Sequence, residues 1–152
     1  MSGSAAEVAA AIRQHDTFLL TSHARPDGDA MGSQLAMAFA LDALGKRVRL
    51  INHDPSPAPY LGFPGADRIE VSSAAAPLPD VPLHAEATIV MECGDLLRTE
   101  VKGLERPTII NIDHHVGNTM FGSVNWFDAS AAACTEMVAD VIDALGVTWT
   151  RE

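Results

Sequence analysis

Residues 21–33, TSHARPDGDAMGS, place one imidazole (His23) and two carboxylates (Asp27 and Asp29) in a single short turn punctuated by Pro and Gly. Imidazole nitrogen combined with carboxylate oxygen suits hard or borderline divalent cations. Taken alone, the turn has a second reading, in which Asp29 or Ser33 simply caps the helix that follows. Two later segments favour metal: Glu92-Cys93-Gly94-Asp95 and Asp113-His114-His115 each come directly after an apolar run. If the three preceding runs are parallel strands, their C-terminal ends share one edge of the sheet, where open α/β sheets keep their ligand crevice. His23, Asp27, Asp29, Glu92, Asp113 and His114 then converge, although they are dispersed along the chain. Acids and imidazoles gathered in this way predict a metal site.

The elements that must position these residues follow from periodicity. Residues 17–22, 87–91 and 108–112 are continuous apolar runs, the pattern of strands buried on both faces of a parallel sheet. Residues 5–15 carry Val8 and Ile12 at helical spacing behind Ser4, and 30–44 carry Leu35, Phe39 and Leu44 before Gly45. Residues 47–52 complete a β-α-β unit, 68–71 and 121–127 are weaker strand candidates, and 129–145 form a strong helix with Met137, Val138, Val141, Ile142 and Leu145 on its apolar face. The Pro-rich stretch 54–65 and the Ala/Pro stretch 74–82 read as loops. The predicted fold class is α/β, a three-layer, Rossmann-like sandwich around a mostly parallel central sheet.

Length and composition bound the rest. A chain of 152 residues supports one core. No apolar run approaches the roughly 20 residues that cross a bilayer, and the N-terminal MSGSAAEVAAAIRQ lacks the order of a secretory signal. A cytoplasmic location and no membrane partner are therefore expected. The formal net charge of −10 argues against holding a long nucleic acid on a basic surface, though a short anionic substrate fits a crevice whose bound cations invert the local field. Cys93 and Cys134 form no CxxC pair and read as buried thiols. His15 and His84 read as surface residues, His53 and Tyr60 as members of an exposed loop, and Trp126 and Phe127 as packing.

SHARPDGDAMGS, ECGDLLR and NIDHH together resemble the DHH phosphoesterases, named for their Asp-His-His tripeptide, and within them the nanoRNase-like branch. INHDPSPAPYLGFPGADRI and ASAAACTEMVADVIDALG extend the likeness over nearly the whole chain. The resemblance implies a Mn2+-dependent hydrolysis of very short RNA or of 3′-phosphoadenosine 5′-phosphate at a two-ion centre. By that likeness His23 and Asp27 hold one ion, Asp29 and His114 the other, and Glu92 bridges them. It also implies that His115 contacts the scissile phosphate, that Asp113 orients the histidines, and that Arg98 steadies the loop or a phosphate. The expected partner is a short RNA or nucleotide, with a homodimer left open. The inorganic pyrophosphatase branch resembles RPDGDAMGS less, and a dinucleotide-binding reading fails because the loop has no GxGxxG.

Two departures from the family pattern bear on this expectation. The bridging position is ordinarily Asp and is here Glu92, one methylene longer. Either Glu92 bridges nonetheless, or Asp95 substitutes, or the site holds a single ion. The family also continues beyond Glu152 into a fourth motif with another metal-binding Asp and a smaller substrate-gripping domain. On that basis the chain is expected to be an incomplete N-terminal catalytic domain, 1–152, with low or absent activity, because positioning is a large share of such catalysis. The alternative is a non-catalytic module that binds metal or nucleotide in a regulatory or assembly role.

Overall fold

The computed structural model describes residues 2–73 and 85–150; the stretch 74–82 and His84 fall on or among the residues outside that range. Six strands form one sheet in the order β3-β2-β1-β4-β5-β6. They are β1 (Thr17–Thr21), β2 (Arg47–Asn52), β3 (Ile69–Val71), β4 (Ala87–Met91), β5 (Thr108–Asp113) and β6 (Val124–Phe127). Every neighbouring pair is parallel. Strands 1 to 3 build outward in one direction and strands 4 to 6 in the other, so the order reverses between β1 and β4, the point where such sheets open a crevice.

Alternation along the strands divides the core. Phe18, Leu20, Leu50, Ile89, Met91, Ile110 and Ile112 face three helices: α1 (Ala5–Arg13), α2 (Gly28–Ala43) and α3 (Cys134–Leu145). Leu19 and Ile51 point to the opposite face, where Val101 and Leu104 cover them after a short 3-10 turn at Leu96–Thr99. Both faces of the sheet are thus covered, as the uninterrupted apolar runs anticipate. Trp126 is buried in the larger cluster, in keeping with a packing role.

Differences from the predicted elements have local causes. Helix α2 begins at Gly28 with Asp27 as its cap, Oδ1 accepting the Ala30 N–H at 3.0 Å; neither Asp29 nor Ser33 takes that position. Helix α3 begins at Cys134, five residues later than the alanine-rich sequence suggests. Asp128 folds the intervening residues into a turn, its Oδ1 accepting both the N–H and the hydroxyl of Ser130. His15 is half-buried rather than superficial, with Nδ1 donating to the Ala11 carbonyl and Nε2 paired with the Thr108 hydroxyl at 3.2 Å. No described helix is long and apolar enough to cross a membrane.

Candidate metal centre

Strands β1, β4 and β5 lie side by side, and the segments that follow them meet at the C-terminal edge of the sheet. One donor atom from each of His23, Asp27 and Glu92 lies within 4.8 Å of the other two, and the same holds for Glu92, His114 and His115. Glu92 belongs to both groups. It is only 3% exposed, and its Oε2 is buried without a hydrogen bond. His114 Nε2 approaches that oxygen to 3.3 Å but meets hydrogen-bond geometry only with Oε1, at 3.4 Å. A buried carboxylate oxygen without a hydrogen-bonding partner is costly, and a cation is the partner this donor set suits. Asp95, the alternative carboxylate, instead caps the 3-10 turn, with Oδ1 accepting the Leu97 N–H at 2.9 Å.

Glu92 reaches this position from a left-handed backbone conformation, φ 55°, immediately after β4. A non-glycine residue held there costs on the order of 1 kcal/mol, strain that persists where the surroundings over-determine it and that clusters at functional sites. Its N–H still donates to the Ile112 carbonyl at 3.0 Å, so the turn is made without leaving the sheet. Burial, reinforced by the charge of Asp29, raises the Glu92 carboxyl to about 7, against the opposing pull of His115 and His114.

All three histidines are anchored in one sense. Nδ1 of His23 donates to the Ala24 carbonyl at 2.8 Å, Nδ1 of His114 to the Ala131 carbonyl at 3.1 Å, and Nδ1 of His115 to Asp113 Oδ1 at 2.9 Å. A carbonyl or carboxylate there orients each ring and turns Nε2 toward the donor groups, and for His23 and His114 this is the usual outer arrangement of a metal-bound imidazole. Asp113 is fully buried and also accepts from Asn118 Nδ2 at 2.7 Å. It therefore orients His115, while His114 is oriented by the main chain of the β6–α3 connection. Burial lowers the His114 pKa, but the Ala131 carbonyl and the carboxylates of Glu92 and Asp29 outweigh it and the net shift is upward.

Asp29 stands at the margin of the group that holds His114. Its Oδ2 is 3.7 Å from His114 Nε2, and its carboxylate accepts the N–H groups of Cys134 and Thr135, each at 2.8 Å. Burial alone would raise its pKa; the hydrogen bonds from Thr135 and Cys134 and the nearby His114 together hold it below the ordinary value. Arg98 is exposed and joins the site through its main chain, its carbonyl accepting the Ala24 N–H at 2.8 Å. His53 lies between Asp54 and Glu100 at 3.3 and 3.6 Å, beside the crevice. Both cysteines are buried, Cys93 Sγ donating to the Asp95 carbonyl and Cys134 Sγ to that of Ile112. Burial pushes the Cys93 thiol up to about 11 and the Cys134 thiol well above its ordinary range, and the two donor groups themselves consist of oxygen and imidazole.

Sequence reading missed the supporting residues Thr135, Asn118 and Gly94. A Cβ on Gly94 would meet Asp113 Oδ2 at 3.3 Å, so this glycine lets the β4 and β5 loops close on each other. Only the Gly in ECGD hinted at that approach; nothing local marked Thr135 or Asn118.

Residues 17–151 match the DHH family, N-terminal domain. The bifunctional oligoribonuclease and PAP phosphatase NrnA of Thermus thermophilus is 38% identical over 137 residues, covering 88% of this chain and 38% of that protein. The protein of the same description from Mycoplasma pneumoniae is 30% identical over 149 residues, covering 91% and 43% respectively. The chain thus spans about two fifths of the length of these relatives. In fold it is similar to an exopolyphosphatase-related protein from Bacteroides fragilis, with a TM-score of 0.78 at 23% identity over 93% of this chain and 43% of that one.

Proposed function

This chain belongs to the DHH family, and from that premise we propose that it forms the metal-binding part of a Mn2+-dependent phosphoesterase acting on short oligoribonucleotides, 3′-phosphoadenosine 5′-phosphate, or both. The observation that carries the reading is the single buried carboxylate of Glu92 shared by two donor groups. His23, Asp27 and Glu92 would hold one ion; Glu92 and His114, with Asp29 Oδ2 beside them and His115 within reach, would hold the other. The relatives named above, described as acting on oligoribonucleotides and PAP, support the substrate class.

Ions bound by these residues would supply an activated water for in-line attack and would offset the charge on the phosphoryl oxygens. The chain's own residues do the rest. Three carboxylates, Asp27, Asp29 and Glu92, would by themselves repel an anionic substrate, so substrate entry depends on loading the donors first. His115, braced by Asp113, presents Nε2 to a phosphoryl oxygen and holds a proton there as charge develops. His23 and His114 keep their rings fixed through main-chain carbonyls, which limits reorganisation during the reaction.

Phosphate release from 3′-phosphoadenosine 5′-phosphate and cleavage of a diribonucleotide, each measured with Mn2+ and with chelator, test the proposal. Slow, Mn2+-dependent turnover that disappears in Glu92→Ala is expected. Equal rates for the wild type and Glu92→Ala at saturating Mn2+ would refute it.

A further inference from the structure

We infer that Thr135 is a positioning residue of this metal centre: with the first turn of α3 it locks one oxygen of Asp29 and leaves the other, Oδ2, as the single atom this carboxylate offers a cation. The inference rests on the metal-centre reading above. Oδ1 accepts the Thr135 N–H at 2.8 Å, the Thr135 hydroxyl in a short contact, and the Ser33 hydroxyl at 3.5 Å. Oδ2 accepts the Cys134 N–H at 2.8 Å and faces His114 Nε2 at 3.7 Å. A carboxylate oxygen has two acceptor directions, so one direction of Oδ2 remains turned toward the donors while Oδ1 is saturated. Asp29 is thereby a monodentate ligand by construction.

The contact is built into the helix packing. A Cβ on Gly32 would meet Thr135 Cγ2 at 3.3 Å, so α2 and α3 approach closely where Asp29 needs its anchor. Helix α3 also has no side-chain cap of its own, since Ala133 precedes it. Asp29 supplies that cap from 105 residues away. Capping alone needs only the main-chain N–H groups; the hydroxyl of Thr135 is the additional element that selects which oxygen is engaged. Ligating carboxylates are commonly held in this manner, and loss of the holding group lowers metal affinity about 10- to 100-fold.

The test is Mn2+ titration calorimetry on the full 152-residue chain as wild type, Thr135→Ser and Thr135→Val, with Tm measured with and without Mn2+. Thr135→Ser is expected to keep wild-type affinity. Thr135→Val is expected to weaken the ion shared by Asp29 and His114 about tenfold or more, to leave the ion held by His23 and Asp27 unchanged, and to shrink the Mn2+-induced rise in Tm. A Thr135→Val protein with a lower metal-free Tm but unchanged Mn2+ affinity overturns the inference and reduces the contact to helix capping; equal weakening by Thr135→Ser overturns it as well. If the valine variant does not fold, Thr135→Ala carries the same comparison. A wild-type chain that binds no Mn2+ defeats the metal-centre reading itself, an outcome distinct from the other two.

Discussion

His114 Nε2 lies 3.3 Å from Glu92 Oε2, an oxygen with no hydrogen bond at the bottom of the crevice. Without a cation, the two groups share an environment in which a proton is the nearest substitute for one. Both shifts run upward: Glu92 to about 7 from 4.5, and His114 above 6.5.

The sign of the pH dependence follows. A group whose folded pKa exceeds its unfolded value binds more protons in the native state, so its stabilisation is complete below the unfolded pKa and is lost as pH rises through the folded one. For Glu92 that window runs from 4.5 to about 7. His114 acts in the same sense from 6.5 upward. Asp29, shifted down, acts oppositely but only below 3.8. Thermal unfolding in chelator should therefore show Tm falling between about pH 5 and pH 8, whereas the gain in Tm on adding Mn2+ should grow over the same range. A metal-free Tm that rises with pH across this window would count against the burial of an ionisable Glu92.

Glu92→Gln separates stability from function. The amide keeps the volume and removes a charge that burial disfavours, so the metal-free chain at pH 8 should gain stability on the order of 1 kcal/mol, or roughly 2–4 °C in Tm for a chain of this size. Mn2+ binding should fall for both ions, because the carboxylate is common to both groups. Differential scanning calorimetry paired with metal titration checks this. Loss of one ion with the other intact would show that Glu92 serves one side only.

How much of this was legible depends on whether the determinant was local. The strands at Thr17–Thr21 and Ala87–Met91 were readable because burial on both faces leaves an unbroken apolar run. The convergence of His23, Glu92 and His114 was readable once those runs were taken as parallel. The capping role of Asp27 was not: a helix cap and a candidate metal ligand call for the same residue type at the same place, so sequence could not assign the cap. Nor was the left-handed turn at Glu92, since glutamate carries no sign of it. The start of α3 was misplaced because an alanine run favours helix, while Asp29, distant in sequence, and the turn at Asp128 set the boundary.

The two cysteines offer a check on the donor chemistry. Cys93 and Cys134 are fully buried, and burial keeps both thiols protonated well above neutral pH. Native chain at pH 8 should react negligibly with a disulfide-exchange reagent and release two equivalents on denaturation. Rapid native-state reaction of either thiol would reopen a thiolate role at the crevice.

His114 and His115 are adjacent in sequence, yet their anchors assign them different tasks. His114 is held by a main-chain carbonyl and points Nε2 between Glu92 and Asp29, at 3.3 and 3.7 Å. His115 is held by the buried Asp113 and reaches Glu92 Oε1 only at 3.6 Å, with a more exposed ring. His114→Ala should therefore cost one Mn2+ ion. His115→Ala should keep both ions and lower turnover by about 10²-fold or more, as expected for a positioned proton donor. Asp113→Asn should reproduce much of the His115 effect, because the imidazole loses the carboxylate that orients it, and should add a loss of stability because Asn118 Nδ2 then faces a weaker acceptor. Metal stoichiometry by calorimetry and turnover of 3′-phosphoadenosine 5′-phosphate, measured on all three variants, separate the roles. If His115→Ala instead loses an ion while His114→Ala does not, the two assignments must be exchanged, and the second donor group is completed by the residue that Asp113 holds.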